Sequence, residues 1–273
     1  MSASQQVLVM SAAANPQAVA LYNAMVSYWN FNENDAGTTF DDAVGSNNLT
    51  ARETAGTAAT SSVTTSTGVI ESRGFNANTA EGRTAYIPNA SNFEFPNTNW
   101  TIGGWFRNTS NTGGSTRYIM GNIGDASGWQ CYLALNSTNH DLQCAVSTDG
   151  VAVAANVDTG YVATGGVFAF MTFTLDRTNN QIIARWREVG AGSLSSGTTA
   201  FAGALFTGVG TANFNINDAL QNDSTYLAGD RAGVVVADLC FYVGKAITDA
   251  EFNYLYNGGS GKTWTQITTD SGH

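Results

Sequence analysis

Apolar and polar side chains alternate in short runs along most of the chain. Val26-Ser27-Tyr28-Trp29-Asn30-Phe31 near the start and Ala237-Asp238-Leu239-Cys240-Phe241-Tyr242-Val243 near the end both follow strand period. A strand from each end is therefore expected to enter one core, closing the fold by pairing its ends. Between them the same alternation, broken by turn residues, predicts strands over 86–88, 100–108, 118–123, 129–135, 142–148, 151–155, 168–175, 182–189, 226–229 and 233–243. Two segments read as helix. Asn15-Pro16 supplies a capping side chain and a residue pre-set for a first turn, leading into Val19, Tyr22 and Ala24. In the back half only 248–256 has helical character, with Thr248 and Glu251 placed for a capping box.

Residues 53–67 are almost entirely Ala, Thr, Ser and Gly, too poor in bulky side chains for a core element, so a loop or exposed edge strand is expected there. Ahead of the first helix, residues 4–10 read as an extended arm with Val7 and Val9 on one face. The expected organisation is an arm and short helix over 1–25, a sandwich over 26–260 and a tail over 261–273. Arm and helix together form a candidate attachment segment, with Val7, Val9 and Tyr22 as its contact residues.

Composition narrows the fold. The chain has 273 residues, 43% of them hydrophobic, with 30 Gly and only 3 Pro, which suits one all-β domain of many short strands and tight turns. The formal net charge is -10, from 11 basic and 21 acidic residues, so the surface repels phosphate backbones and nucleic acid is excluded as an expected partner. Residues 1–9 carry no Lys or Arg, and the apolar run 7–10 is too short to cross a bilayer. The expectation is a protein with no signal peptide and no membrane insertion. Three cysteines, Cys131, Cys144 and Cys240, fit either a bridge across the 131–144 hairpin with one left over, or three buried thiols; a reducing site of assembly favours the thiols.

The order of the SYWNF strand (Ser27–Phe31), an Asn-rich turn, many short strands and a last strand leading into Ala246-Ile247-Thr248-Asp249-Ala250-Glu251-Phe252 resembles the laminin-G-like jelly roll, a branch of the concanavalin A-like sandwiches. Asp41-Asp42-Ala43-Val44-Gly45-Ser46-Asn47-Asn48, Trp100–Phe106 and Phe168–Asp176 extend the likeness to about residues 26–260. Phe168 stands where these domains often carry Trp. The resemblance implies an all-β, two-sheet antiparallel jelly roll with few short helices, and adhesion rather than catalysis.

Candidate chemistry is sparse. The chain has two histidines, His140 in a turn and His273 at the end, which gives little support to a Ser-His-Asp relay or a His-based zinc site. Glycosidases need two carboxylates flanking the scissile bond. The Glu-x-Asp-x-Glu strand motif of related glucanases is absent, and Glu33-x-Asp35 in a turn-like stretch is the nearest approach. A structural calcium ion, common in such domains, would find its richest oxygen set at Asp41, Asp42, Asn47 and Asn48, although Asx turns, in which those side chains bond their own backbone, are the favoured reading of the same residues. Glycan contact needs an aromatic platform beside amides and carboxylates; Trp129, Tyr161 and Trp264 lie near loop signals, whereas Trp29, Trp105 and Trp186 sit in apolar strands.

These observations together suggest a non-enzymatic protein of a virion surface, displayed on a bacteriophage head or tail. It would be made in the host cytoplasm, be oligomeric within the particle, attach to other subunits through the arm, and contact host-surface glycans through loops. A free carbohydrate-binding module or bacterial adhesin is the alternative, and a glycan-degrading enzyme is the third class. No cofactor is required beyond the possible calcium ion.

Overall fold

The computed structural model describes residues 13–31, 39–52, 63–65, 71–74, 84–87, 95–108, 116–123, 128–136, 141–162, 166–207, 214–216, 220–221, 225–226 and 234–273. In chain order the elements begin with helix α1 (Pro16–Ala24), followed by β1 (Met25–Trp29), β2 (Thr39–Phe40), β3 (Leu49–Arg52), β4 (Val63–Thr65), β5 (Glu71–Gly74) and β6 (Thr84–Ile87). The central strands are β7 (Trp100–Asn108), β8 (Arg117–Ile123), β9 (Trp129–Leu135), β10 (Asp141–Val146), β11 (Ala155–Val162), β12 (Phe168–Asp176) and β13 (Gln181–Glu188). The chain ends with β14 (Ser195–Ala200), β15 (Phe214–Ile216), β16 (Leu220–Gln221), β17 (Thr225–Tyr226), β18 (Val234–Val243), α2 (Asp249–Tyr256) and α3 (Trp264–Ser271).

Sixteen of these strands form two eight-stranded antiparallel sheets, and among the described residues β16 and β17 pair only with each other. One runs β14-β13-β12-β7-β18-β5-β4, with β1 also on β18; the other runs β11-β10-β9-β8-β15-β6-β3-β2. The expected pairing of the ends is present: Ser27 to Trp29 of β1 lie against Phe241 to Leu239 of β18. The main core fills the space between the sheets, and strand alternation explains it. Ala169, Met171, Phe173 and Leu175 of β12 and Trp100, Ile102 and Phe106 of β7 point inward.

A second core lies on the outer face of the first sheet. Trp105, Phe170, Ala237, Cys240 and Tyr242 pack there against Leu21 of α1, Phe252, Leu255 and Tyr256 of α2, and Ile267 of α3. Fully burying one such large apolar side chain contributes about 1.5–3 kcal/mol, so the three helices form an integral cap. In β18 one extra residue between Ala237 and Cys240 makes a bulge, which moves the inward phase from Val234 and Val236 to Leu239 and Phe241. Asp238 in the bulge has φ of 47°, and a Cβ on Gly104 opposite it would be crowded, at 3.0 Å from Leu239 Cα and 3.2 Å from Asp238 O.

Several local expectations need correction. Residues 151–154 are not a strand but an exposed tip, and the strand begins at Ala155 and runs to Val162. The polar strand β14 and the three-residue β15 carry too little alternation to have been predicted. The tail over 261–273 contains helix α3, which packs on α1 and α2 with Ile267 1% exposed. Helix α1 likewise belongs to the cap, because Ala18 and Leu21 have no exposed surface. In the Ala/Thr-rich stretch the expectation of an edge strand holds: Val63–Thr65 forms β4 at the end of the first sheet.

Candidate functional site in the helical cap

Each cap helix is started by a side chain that satisfies its free amides. Asn15 Oδ1 accepts from Gln17 N (2.9 Å) and Ala18 N (3.3 Å) at α1. Thr248 and Glu251 form the expected capping box at α2, and Thr263 and Gln266 form another at α3. Helix α2 stops at Asn257, where φ is 48°, and Gly258, Gly259 and Gly261 continue with φ of 67°, 96° and 71°. This run of left-handed backbone reverses the chain within a few residues, which glycine permits without steric cost. Two contacts lock the resulting arrangement: Asn15 N donates to Asp270 O (2.8 Å), and Tyr22 stacks between Trp264 and His273 at 5.2 and 4.3 Å.

A cleft of about 570 Å³ opens between the segment before α1, the end of α2, the reversal and the end of α3. Its polar groups include Asn15, Asn253, Asn257, Lys262, Thr269 and Asp270, with Tyr254 as its aromatic wall. Asp270 Oδ2 accepts from Tyr254 Oη (2.7 Å) and Lys262 Nζ (2.8 Å), and the Lys262 ammonium lies 5.0 Å from the centre of the Tyr254 ring. The hydrogen bonds from Lys262 and then Tyr254 hold the Asp270 carboxyl below its ordinary range. Burial, then the bond to Asp270, pushes the Tyr254 phenol up. The cleft therefore presents one ring, amides that both donate and accept, and an ion pair of no net charge.

The residues singled out from the sequence are distributed elsewhere. Asp42 is saturated by the backbone: Oδ1 accepts from Tyr28 N (3.0 Å), Val44 N (3.1 Å) and Gly45 N (3.0 Å), and Oδ2 from Asn47 N (3.1 Å). Asn48 accepts from Asp42 N and donates to Asp41, while Asn47 donates to Ser27 Oγ. Four N–H donors converge on the carboxylate that a cation would need, so Asp41, Asp42 and Asn47 fit an Asx-turn clasp and do not fit a calcium site. Among the described residues no group of three or more His, Cys, Asp or Glu side chains is placed to hold a metal ion.

Tyr22 sits in the cap stack described above, and Val7 and Val9 lie outside the described residues, as do Glu33, Asp35 and His140. Trp129 is buried against Tyr132 at 5.0 Å. Tyr161 and Trp264 are both half-buried; Tyr161 packs against the main core and donates to Glu188 Oε1 (2.6 Å), whereas Trp264 packs in the cap. All three cysteines are buried free thiols, with Cys131 opposite Val146 and Cys144 opposite Leu133. Burial raises each thiol, Cys240 to about 12. Sequence reasoning missed Tyr254, Lys262 and Asp270. The Thr263-x-x-Gln266 box was the available signal for the helix that brings Asp270 back to the other two.

No family model and no curated protein matches the sequence. The fold does have counterparts among solved structures. It is similar to the botulinum neurotoxin serotype D binding domain, with a TM-score of 0.58 and 12% identity over 89% of this chain and 53% of that one. It is similar to a mutant Trypanosoma rangeli sialidase displaying trans-sialidase activity, with a TM-score of 0.54 and 14% identity over 88% of this chain and 34% of that one. The binding domain of botulinum neurotoxin DC in complex with SialylT gives a TM-score of 0.54 at 12% identity, over 86% of this chain and 51% of that one. This chain thus spans about half of the toxin domains and a third of the sialidase, and shares with them a β-sandwich fold.

Proposed function

We propose that this chain is a non-enzymatic recognition module that contacts glycans through the helical cap and is displayed on a virion surface. The observation that carries the glycan reading is the cleft, in which an aromatic ring, amides and a carboxylate–ammonium pair converge in about 570 Å³. A sugar needs that combination, since its hydroxyls both donate and accept while its C–H faces pack on rings. Receptor-binding and sialidase structures with the same fold, one of them in complex with SialylT, support the reading. Hydrolysis takes two carboxylates across the scissile bond, and the cleft offers one, Asp270, already engaged by Lys262 and Tyr254. The test is binding of the purified chain to an oligosaccharide array. Binding without release of product supports the module, and turnover of any bound glycan overturns the non-enzymatic part.

Display on a particle is a separate component of the proposal. The acidic chain, net -10, carries an uncharged apolar tip with Val151 83% and Val153 47% exposed, a feature suited to burial against a neighbouring subunit. Mass spectrometry of purified virions from the source culture tests it: stoichiometric recovery supports display, and recovery only in the medium or on cells favours a free module or adhesin.

A further inference from the structure

The ionic groups lining the cleft, one ammonium and one carboxylate, are spent on each other. Lys262 Nζ stands 2.8 Å from Asp270 Oδ2 with the two side chains 18% and 32% exposed, and Tyr254 donates to the same oxygen at 2.7 Å. The nearby guanidinium of Arg187 is also committed, donating to Asn253 Oδ1 (3.1 Å), Ala191 O (3.2 Å) and Gly192 O (3.2 Å) while lying over the Tyr256 ring at 4.3 Å. A ligand carboxylate accepting from Lys262 would share the ammonium with Asp270 and sit beside that carboxylate, on a chain of net charge -10. The like charge at close range and the negative net charge both oppose an anion. A hydroxyl meets no such penalty, because it can donate to Asp270 and accept from Lys262 or an Asn amide without breaking the pair.

We infer that the cleft between α2, α3 and the segment before α1 selects neutral polyhydroxylated sugars and rejects carboxylate-bearing, sialylated ones. This rests on the glycan reading above and narrows it in a direction opposite to the sialic acid chemistry named for the fold counterparts. The Lys262–Asp270 pair is the selective element, and Tyr254 with Asn253 and Asn257 supplies contacts common to any hexose.

The test is a glycan array of matched pairs, each neutral oligosaccharide beside its sialylated form, probed with the full chain and with Tyr254→Ala, Lys262→Met and Asp270→Asn. Wild type is expected on the neutral member of the pairs, with a loss of about tenfold or more for Tyr254→Ala and Lys262→Met, as expected when a well-placed contact of about 1.4 kcal/mol is removed. Asp270→Asn leaves Lys262 unpaired and is expected to gain about tenfold on the sialylated members, the converse signature that mere loss of folding cannot produce. Preference of the wild type for sialylated members overturns the selectivity while leaving the glycan reading intact. Neutral binding unmoved by all three variants overturns the site. No binding to any glycan overturns the glycan reading itself.

Discussion

Asp238 is the residue whose surroundings most constrain the behaviour of this protein. Its carboxyl, 5% exposed, accepts a hydrogen bond from Tyr28 Oη through Oδ1, and Oδ2 is buried with no partner. The groups that interact with it are Tyr28 from β1 and Cys240 from β18; α1 carries no charged residue, and Glu251 of α2 is taken by Lys245 at 2.5 Å. With no cation to compensate, burial raises the Asp238 carboxyl to about 7 despite the tyrosine. The folded chain then retains a proton that the unfolded chain releases near pH 4. Stability is therefore expected to be fullest below about pH 4 on this account, to fall as pH rises toward 7 and to level off above it, a loss of roughly 2–4 kcal/mol. Melting temperatures of wild type and Asp238→Asn across pH 4 to 8 check this: the variant should show a flatter profile, and parallel profiles would refute it. Asp42 gives a second prediction. Asp42→Ala removes the acceptor of four backbone N–H groups and is expected to cost about 2–4 kcal/mol in denaturant titration, whereas calcium or a chelator should leave the wild-type midpoint unchanged.

At the scale of elements, the cap helices depend on tertiary packing because each is only eight or nine residues long, below the length at which isolated helices hold in water. Helix α3 shows this most clearly. Its sequence WTQITTDS contributes one large buried apolar side chain, Ile267, together with the Thr263 capping box and the Trp264 stack on Tyr22. Ile267→Ala should destabilise the chain by about 2–4 kcal/mol through the cavity it leaves. Thr263→Ala should cost about 1 kcal/mol through the lost cap. Chemical denaturation measures both, and amide exchange in α3 should speed up more than in β7. Equal exchange in the two elements would show that the cap does not open separately. The tip after β10 behaves in the opposite way: Asp149 Oδ1 accepts from Val151 N and Ala152 N, both at 2.8 Å, so the exposed valines are held by a built turn.

At the scale of the molecule, β18 is the keystone of the first sheet, pairing with β7 on one side and with β5 and β1 on the other. It comes from the last sixth of the chain, so the sheet cannot be completed until residues 234–243 are available. Long-range pairing of this kind makes folding slow and all-or-none. A chain ending at residue 233 is expected to lack cooperative unfolding, as read by near-ultraviolet circular dichroism against denaturant; a cooperative transition in that fragment would contradict the role given to β18. The ends meet again in the cap, where Asn15 N bonds to Asp270 O, and the candidate cleft is built at that junction.

Much of this was legible in the residues themselves. The alternation in Trp100–Asn108 and Phe168–Asp176, the paired-end pattern of Val26–Trp29 and Leu239–Val243, and the caps at Asn15 and Thr248 are local consequences of backbone period and hydrogen-bond supply, so they can be read without coordinates. The order of strands in the two sheets, the phase change at Asp238 and the conversion of the Asp41–Asn48 turn from an imagined cation site into a clasp for β1 required the folded chain. So did the meeting of Tyr254, Lys262 and Asp270, which lie eight residues apart in a segment of weak hydrophobic pattern. Local periodicity follows from the geometry of one backbone segment, whereas those contacts follow from how α2 and α3 are turned by left-handed residues and seated on a sheet whose strands come from both ends of the chain.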